Sequence, residues 1–167
     1  MVSDQVRNEV WLRLLDIARL VRYYAVLSDR YRRNYTIIRF LLYAVAASGI
    51  AAFLDVLPPI AQLISGGVIA LIITWDFVSD YGRKAAVLHA ISLQCGELEN
   101  EWQELWMDVD NGTMTNEEVI DRNRQLIQRM TSVTGGVGYA DIPEDQKLNE
   151  KCAAQAYQVA EDRYAAV

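Results

Sequence analysis

The chain has one histidine, two cysteines and three prolines in 167 residues. A single imidazole, His89, excludes metal centres and catalytic dyads built on paired histidines, and a lone histidine in a helical pattern is far more often structural than catalytic. Cys95 and Cys152 stand far apart without metal-ligand spacing, which predicts free, buried thiols in a reducing compartment. The one glycine-rich stretch, "TGGVGY" from Thr134, lacks the lysine and spacing of a phosphate loop and reads as a turn. The first forty residues are charged throughout and hold no apolar segment of the kind a cleavable signal peptide needs. No run alternates with the period of a strand. The sequence therefore predicts an all-α protein with no enzymatic chemistry, no metal and no cofactor.

Charge is also missing from the middle of the chain. From Phe40 to Trp75 the only Asp, Glu, Lys, Arg or His is Asp55. Residues 1–40 carry 8 basic and 4 acidic side chains, residues 41–84 carry 2 and 3, and residues 85–167 carry 6 and 15. A basic start, an uncharged middle and an acidic end do not describe a uniform globular surface. Two apolar runs, 37–54 and 60–78, are each long enough as helices to span roughly 27–29 Å, close to bilayer hydrocarbon thickness. They flank "DVLPP", in which Pro58 and Pro59 suit the first turn of a returning helix. The sequence thus predicts a transmembrane hairpin in a lipid bilayer. Arg30, Arg32, Arg33 and Arg39 precede it and Arg83 and Lys84 follow it, so the positive-inside rule places both termini in the cytoplasm. Tyr35, Tyr43, Trp75 and Tyr81 are placed as the interfacial belt on that side.

The flanks are patterned as helices. Val10, Leu14, Ile17, Val21, Tyr24, Ser28, Tyr31 and Tyr35 alternate spacings of four and three, as do Leu88, Ile91, Cys95, Leu98, Trp102 and Leu105. These two seams predict an N-terminal cytoplasmic helix over 1–36 docked antiparallel on a helix in the cytoplasmic region 79–167, both continuous with the spans. Glu9–Arg13 and Asp29–Arg33 are spaced as exposed i,i+4 pairs. Asn111-Gly112 predicts a helix stop. Thr115 with Glu118 predicts a capping box for a helix over 116–132 that buries Val119, Leu126, Ile127 and Met130. Residues 134–145 read as a loop. Asp141 is placed to cap a last helix from about Pro143 with Leu148, Cys152, Ala156 and Val159 inward.

With the entry "VRYYAVLSDRYRRNYTIIRF", the hairpin around "LDVLPP", the re-entry "WDFVSDYGRKAAVLHAI" and the terminal "LNEKCAAQAYQVAEDRY", the chain resembles the SLATT family of bacterial two-transmembrane effectors over its whole length. The resemblance implies a homo-oligomeric pore, a tetramer or pentamer, in the bacterial inner membrane. It further implies a role in anti-phage defence, with control by a nucleotide or short oligonucleotide signal from a partner nucleotidyltransferase encoded nearby. In the Hailong type such a signal holds the channel closed; in others it opens it.

A pore of this kind needs small or polar residues on one face of a span. On the second run Gln62, Ser65, Gly66, Ile69, Ile73 and Asp76 meet that need, with Ile69 and Ile73 as an apolar constriction and Asp76 as a cation-favouring ring. The competing reading is that Ser65, Gly66, Gly67 and Ala70 only pack helices together. The first run offers a rival stripe, Ala44, Ser48, Ala52 and Asp55. For an anionic ligand the candidates are the collar Arg30, Arg32, Arg33, Arg83 and Lys84, which also suits anionic lipid headgroups, and the group Arg122, Arg124 and Arg129. The latter has Glu117, Glu118 and Asp121 nearby as alternative partners. A non-conducting membrane anchor that recruits a cytosolic partner is the alternative function.

Overall fold

The structure, a computed structural model, describes the backbone of residues 2–53, 59–138 and 142–164. Within its helices the side chains at 47–53, 59, 61–63, 65, 69, 77, 137, 138 and 164 lie outside the described set. Every regular element among the described residues is a helix: α1 (Asp4–Phe53), α2 (Pro59–Ser79), α3 (Tyr81–Asp110), α4 (Asn116–Gly138) and α5 (Gln146–Tyr164). The chain divides into two units, one of residues 1–27 with 87–167 and one of residues 28–86.

In the first unit the two seams meet as their spacing predicts. Val10, Leu14, Ile17 and Tyr24 on α1 are buried, as are Leu88, Ile91, Cys95, Leu98, Trp102, Leu105 and Val109 on α3. The helices run antiparallel: Arg7 pairs with Asp110, Trp11 and Trp106 have ring centroids 5.0 Å apart, and Ser92 Oγ donates to the Val21 carbonyl at 3.4 Å. A polar chain that is buried at Trp102 and Asn123 and ends on the exposed Glu9 ties in α4. Trp102 Nε1–H donates to Asn123 Oδ1 at 3.0 Å, and Asn123 Nδ2–H donates to Glu9 Oε1 at 3.3 Å. A buried indole N–H or amide without a partner costs about 1–3 kcal/mol, so this chain fixes the register in which three helices can pack.

The local signals around α3 and α4 hold in detail. Asn111-Gly112 ends α3 in a Schellman motif: Gly112 N–H donates to Val109 O at 3.2 Å and Thr113 N–H to Asp108 O at 3.1 Å, with Gly112 at φ 66°. Alanine there must adopt a left-handed conformation that costs about 1–2 kcal/mol. Gly112→Ala is therefore expected to lower the chemical-unfolding free energy by that amount, and an unchanged midpoint contradicts the assignment. The capping box forms reciprocally, with Thr115 N–H donating to Glu118 Oε2 at 2.8 Å and Glu118 N–H to Thr115 Oγ1 at 3.4 Å. The Thr115 backbone N–H holds the Glu118 carboxyl below its usual range.

Three expectations at this end are corrected. Helix α4 does not stop at residue 132 but continues to Gly138, so the first part of the expected loop is helical. Val133 and Thr134 are half-buried, and a Cβ on Gly136 would stand 3.9 Å from Ile91 Cδ1. Packing against α3 outweighs the poor helix propensity of paired glycines. The cap of α5 is Asp145 rather than Asp141, which lies outside the described residues; Leu148 N–H donates to Asp145 Oδ1 at 3.0 Å. The inward stripe of α5 takes the i+4 position, so Ala160 is buried and Val159 is exposed. Ile127 and Met130 are half-buried, and Glu9 accepts from Asn123.

In the second unit, α1 and α2 are accompanied by the start of α3. Helix α1 continues through residue 37 to Phe53 without a break, as expected, and Pro59 opens α2. The expected continuity of the second span with the following helix is corrected. Asp80, at φ 47°, separates α2 from α3, although Asp80 N–H still donates to Asp76 O and Lys84 N–H to Asp80 O, both at 3.1 Å. Aspartate tolerates this left-handed conformation better than most residues. Among the described residues no helix is long and apolar enough to cross a membrane. The run 37–54 and the run 60–78 both extend through positions outside that set.

Both cysteines are free and buried. Burial pushes the Cys95 thiol up to about 11 and the neighbouring Tyr24 hydroxyl up to about 12. Both groups are neutral when protonated and both are raised above their ordinary values of 9.0 and 10.0. The stability they contribute is complete below about pH 9 and is lost as pH rises through about 11–12. An unfolding midpoint that falls across this alkaline window, and falls less in Cys95→Ala, is the expected result.

Candidate functional site

The surface that stands out lies in the second unit. Ile60, Ile64, Val68, Leu71, Trp75 and Val78 are all exposed, Leu71 at 72%. Their spacings of four and three keep them on one face of α2, along about 27 Å of helix. On α1 in the same unit Ile37, Phe40, Leu41 and Tyr43 are exposed as well, Phe40 at 71%. Contiguous apolar surface of this size is rare on a monomer that faces only water.

Of the candidate pore-lining residues, Gly66 and Ile73 are exposed and Asp76 is half-buried. The side chains of Gln62, Ser65 and Ile69 lie outside the described residues. A Cβ built on Gly66 or Gly67 would meet nothing within 4 Å. Among the described residues, then, neither glycine serves a close helix approach. The close approach occurs at Gly82, where a Cβ would stand 3.0 Å from Tyr35 Cε2. Here the start of α3 presses on a tyrosine of α1, next to Tyr31 and Tyr81, whose rings lie 5.6 Å apart. Ser28 Oγ adds a 3.0 Å hydrogen bond to the Ala85 carbonyl.

One residue with a bearing on this site went unassigned as a site residue. The Arg39 guanidinium stacks over the Tyr35 ring at 4.9 Å and lies within electrostatic reach of Asp76. The antiparallel register that sets Tyr31 by Tyr81 and Tyr35 by Gly82 also brings residues 39 and 76 to one level. The signal was available in the sequence as the one cation near the start of the first apolar run, once that register is known.

The same register gathers the collar. Arg30, Arg32 and Arg33 on α1 are exposed at the level of Arg83 and Lys84 on α3. Arg83 is paired with the Asp80 carboxylate across one turn. The second cationic group is engaged. Arg122 lies 3.4 Å from Glu104 and 3.6 Å from Asp108, Arg124 lies 3.2 Å from Asp121, and Arg129 lies 2.5 Å from Glu101. Only Arg124 takes a partner from the expected set; the other two reach across to α3. An anion binding there would have to displace carboxylates from all three. Among the described residues no group of three His, Cys, Asp or Glu side chains is placed to hold a metal ion.

No family model matches the chain, and neither a curated protein nor a solved structure was found to be similar to it.

Proposed function

We propose that this chain is the subunit of a homo-oligomeric channel in a bacterial inner membrane. It is a SLATT-type effector in which residues 37–54 and 60–78 form the hairpin and both termini are cytoplasmic. A nucleotide or short oligonucleotide from a partner nucleotidyltransferase opens it or holds it closed, and the open state depolarises the membrane in anti-phage defence. The observation that carries this reading is the exposed face of α2. Each of its six large apolar side chains gains about 1.5–3 kcal/mol on leaving water, a driving force on the order of 10 kcal/mol for transfer into lipid or onto other copies. The exposure of Gly66, Gly67 and Ile73 supports assembly, because a lone hairpin cannot enclose a pore.

The test is ion flux in liposomes reconstituted with the full chain, with and without candidate oligonucleotides. Wild-type protein is expected to conduct in at least one of the two conditions. Ile73→Ala is expected to raise the conductance about tenfold by removing an apolar constriction, and Asp76→Asn to reduce cation preference. The second reading, a non-conducting anchor that recruits a cytosolic partner, draws on the same exposed apolar face, which suits lipid whether or not the chain conducts. Under that reading no variant changes flux.

A further inference from the structure

Three cations of the collar, in the second unit, differ from the arginines already engaged. Arg122, Arg124, Arg129 and Arg83 each have a carboxylate partner. Among the described residues Arg32, Arg33 and Lys84 make no ion pair, although Asp29 stands four residues before Arg33. Arg32 and Arg33 fall between Tyr31 and Tyr35 on α1, and Lys84 falls between Gly82 and Ala85 on α3. The close approach of Tyr35 to Gly82 and the hydrogen bond from Ser28 to Ala85 hold these two stretches at one level. Within residues 28–36 and 80–86 five cations stand against two acids, Asp29 and Asp80, in a chain that is itself net −6.

The position of these cations relative to the apolar surface selects the ligand. In this unit the exposed apolar side chains of α1 begin at Ile37 and continue with Phe40 and Leu41. Arg33 precedes Ile37 by four residues, about 6 Å along the helix. The headgroup layer of a bilayer adds about 5–7 Å to each side of the hydrocarbon core. With Ile37 at the edge of hydrocarbon, Arg33 therefore stands at the depth of the phosphates. Arg32 and Arg33 are exposed on a helix surface, whereas sites for small soluble ligands are concave. That surface suits a phosphate that arrives with its bilayer, and a guanidinium fork matches phosphate oxygens in pairs.

We propose that Arg32, Arg33 and Lys84 form a binding site for the phosphate of an anionic phospholipid in the cytoplasmic leaflet. The proposal rests on the membrane reading above. It assigns the collar to lipid and so removes it from the candidates for the nucleotide signal.

The test counts bound lipid by native mass spectrometry on the full chain in non-ionic detergent, titrated with dioctanoyl phosphatidylglycerol and, separately, with dioctanoyl phosphatidylcholine. The anionic lipid is expected to bind at least about tenfold more tightly. The combined variant Arg32→Gln, Arg33→Gln, Lys84→Gln is expected to bring it down to the level of phosphatidylcholine. Lys147→Gln, Lys151→Gln, Arg163→Gln removes the same charge from exposed positions of α5 and is expected to leave the preference unchanged. A hundredfold excess of glycerol 3-phosphate is expected not to displace the lipid. Displacement by glycerol 3-phosphate, or a short oligodeoxynucleotide that binds more tightly than the lipid and loses affinity in the collar variant, reassigns the site to a soluble anion and overturns the proposal. Equal binding of the two lipids, or an equal loss in the α5 variant, also overturns it. Detergent removal in the presence of pure phosphatidylcholine vesicles separates the two levels of the account. A chain that floats with these vesicles but shows no lipid preference sinks the headgroup site alone, and a chain that does not float sinks both.

Discussion

Replacing Trp102 by alanine is expected to lower the unfolding free energy by about 3–5 kcal/mol, the range for removing a large aromatic from a packed core. Trp102 is fully buried at the meeting of the α1 and α3 seams, and its indole N–H is the first link of the chain that continues through Asn123 to Glu9. Alanine removes the ring and also leaves a buried carboxamide short of a donor. Two companion variants separate these effects. Trp102→Phe keeps most of the volume and loses the donor, so it is expected to cost about 1–3 kcal/mol. Asn123→Leu leaves the indole N–H unpaired and belongs in the same range. The readout is helical circular dichroism through a chemical unfolding series in detergent. A loss of less than about 1 kcal/mol for Trp102→Ala contradicts the assignment of this residue to the core.

The second large effect concerns the exposed face of α2. Leu71 stands near the middle of that face, and Leu71→Arg puts a charge where the proposal puts hydrocarbon. A charged residue at mid-span costs about 2.5–3.5 kcal/mol for membrane insertion, and Val68→Arg combined with Leu71→Arg costs about twice that. The double variant is expected to leave carbonate-washed membranes, while the wild type stays. If α2 instead faced water, the same substitutions would remove apolar surface from solvent and raise yield and solubility with no change of fraction.

The parts of the fold that could be read from the sequence are those with a strong local or periodic cause. The seam from Val10 to Tyr24 and its partner from Leu88 to Leu105 were legible because heptad spacing has one structural solution for two antiparallel helices. Gly112 and the Thr115–Glu118 box were legible because caps and stops are local chemistry. What was not legible depends on contacts distant in sequence. Paired glycines at 135 and 136 suggest a turn, yet the helix runs through them, with Gly136 beside Ile91 of α3. Asn123 falls between Val119 and Leu126 on the buried face of α4, but the partner that satisfies it there, Trp102, is 21 residues away. Asp80 tolerates a left-handed joint, but aspartate is also common within helices, so its identity alone does not mark the break.

The same division holds for the candidate site. The apolar face of α2 follows from composition, and its exposure in the second unit agrees with that. The engagement of Arg122 and Arg129 by Glu104, Asp108 and Glu101 does not follow from i,i+3 and i,i+4 spacing, because those acids lie on another helix. Helical spacing within α4 offered nearer partners, and tertiary packing chose others. Arg39 near Asp76 is likewise a product of register between two helices.

The central claim is that α2 lies in lipid with Ile60 at the outer end and α3 begins on the inner side. Single-site labelling with a membrane-impermeant maleimide tests it directly, since Cys95 and Cys152 are buried and contribute little background. In intact cells Ile60→Cys is expected to react at once, whereas His89→Cys reacts only after the membrane is opened; both positions are exposed on the protein surface. Reaction of both positions in intact cells, the reverse order, or recovery of the protein in the soluble fraction contradicts it.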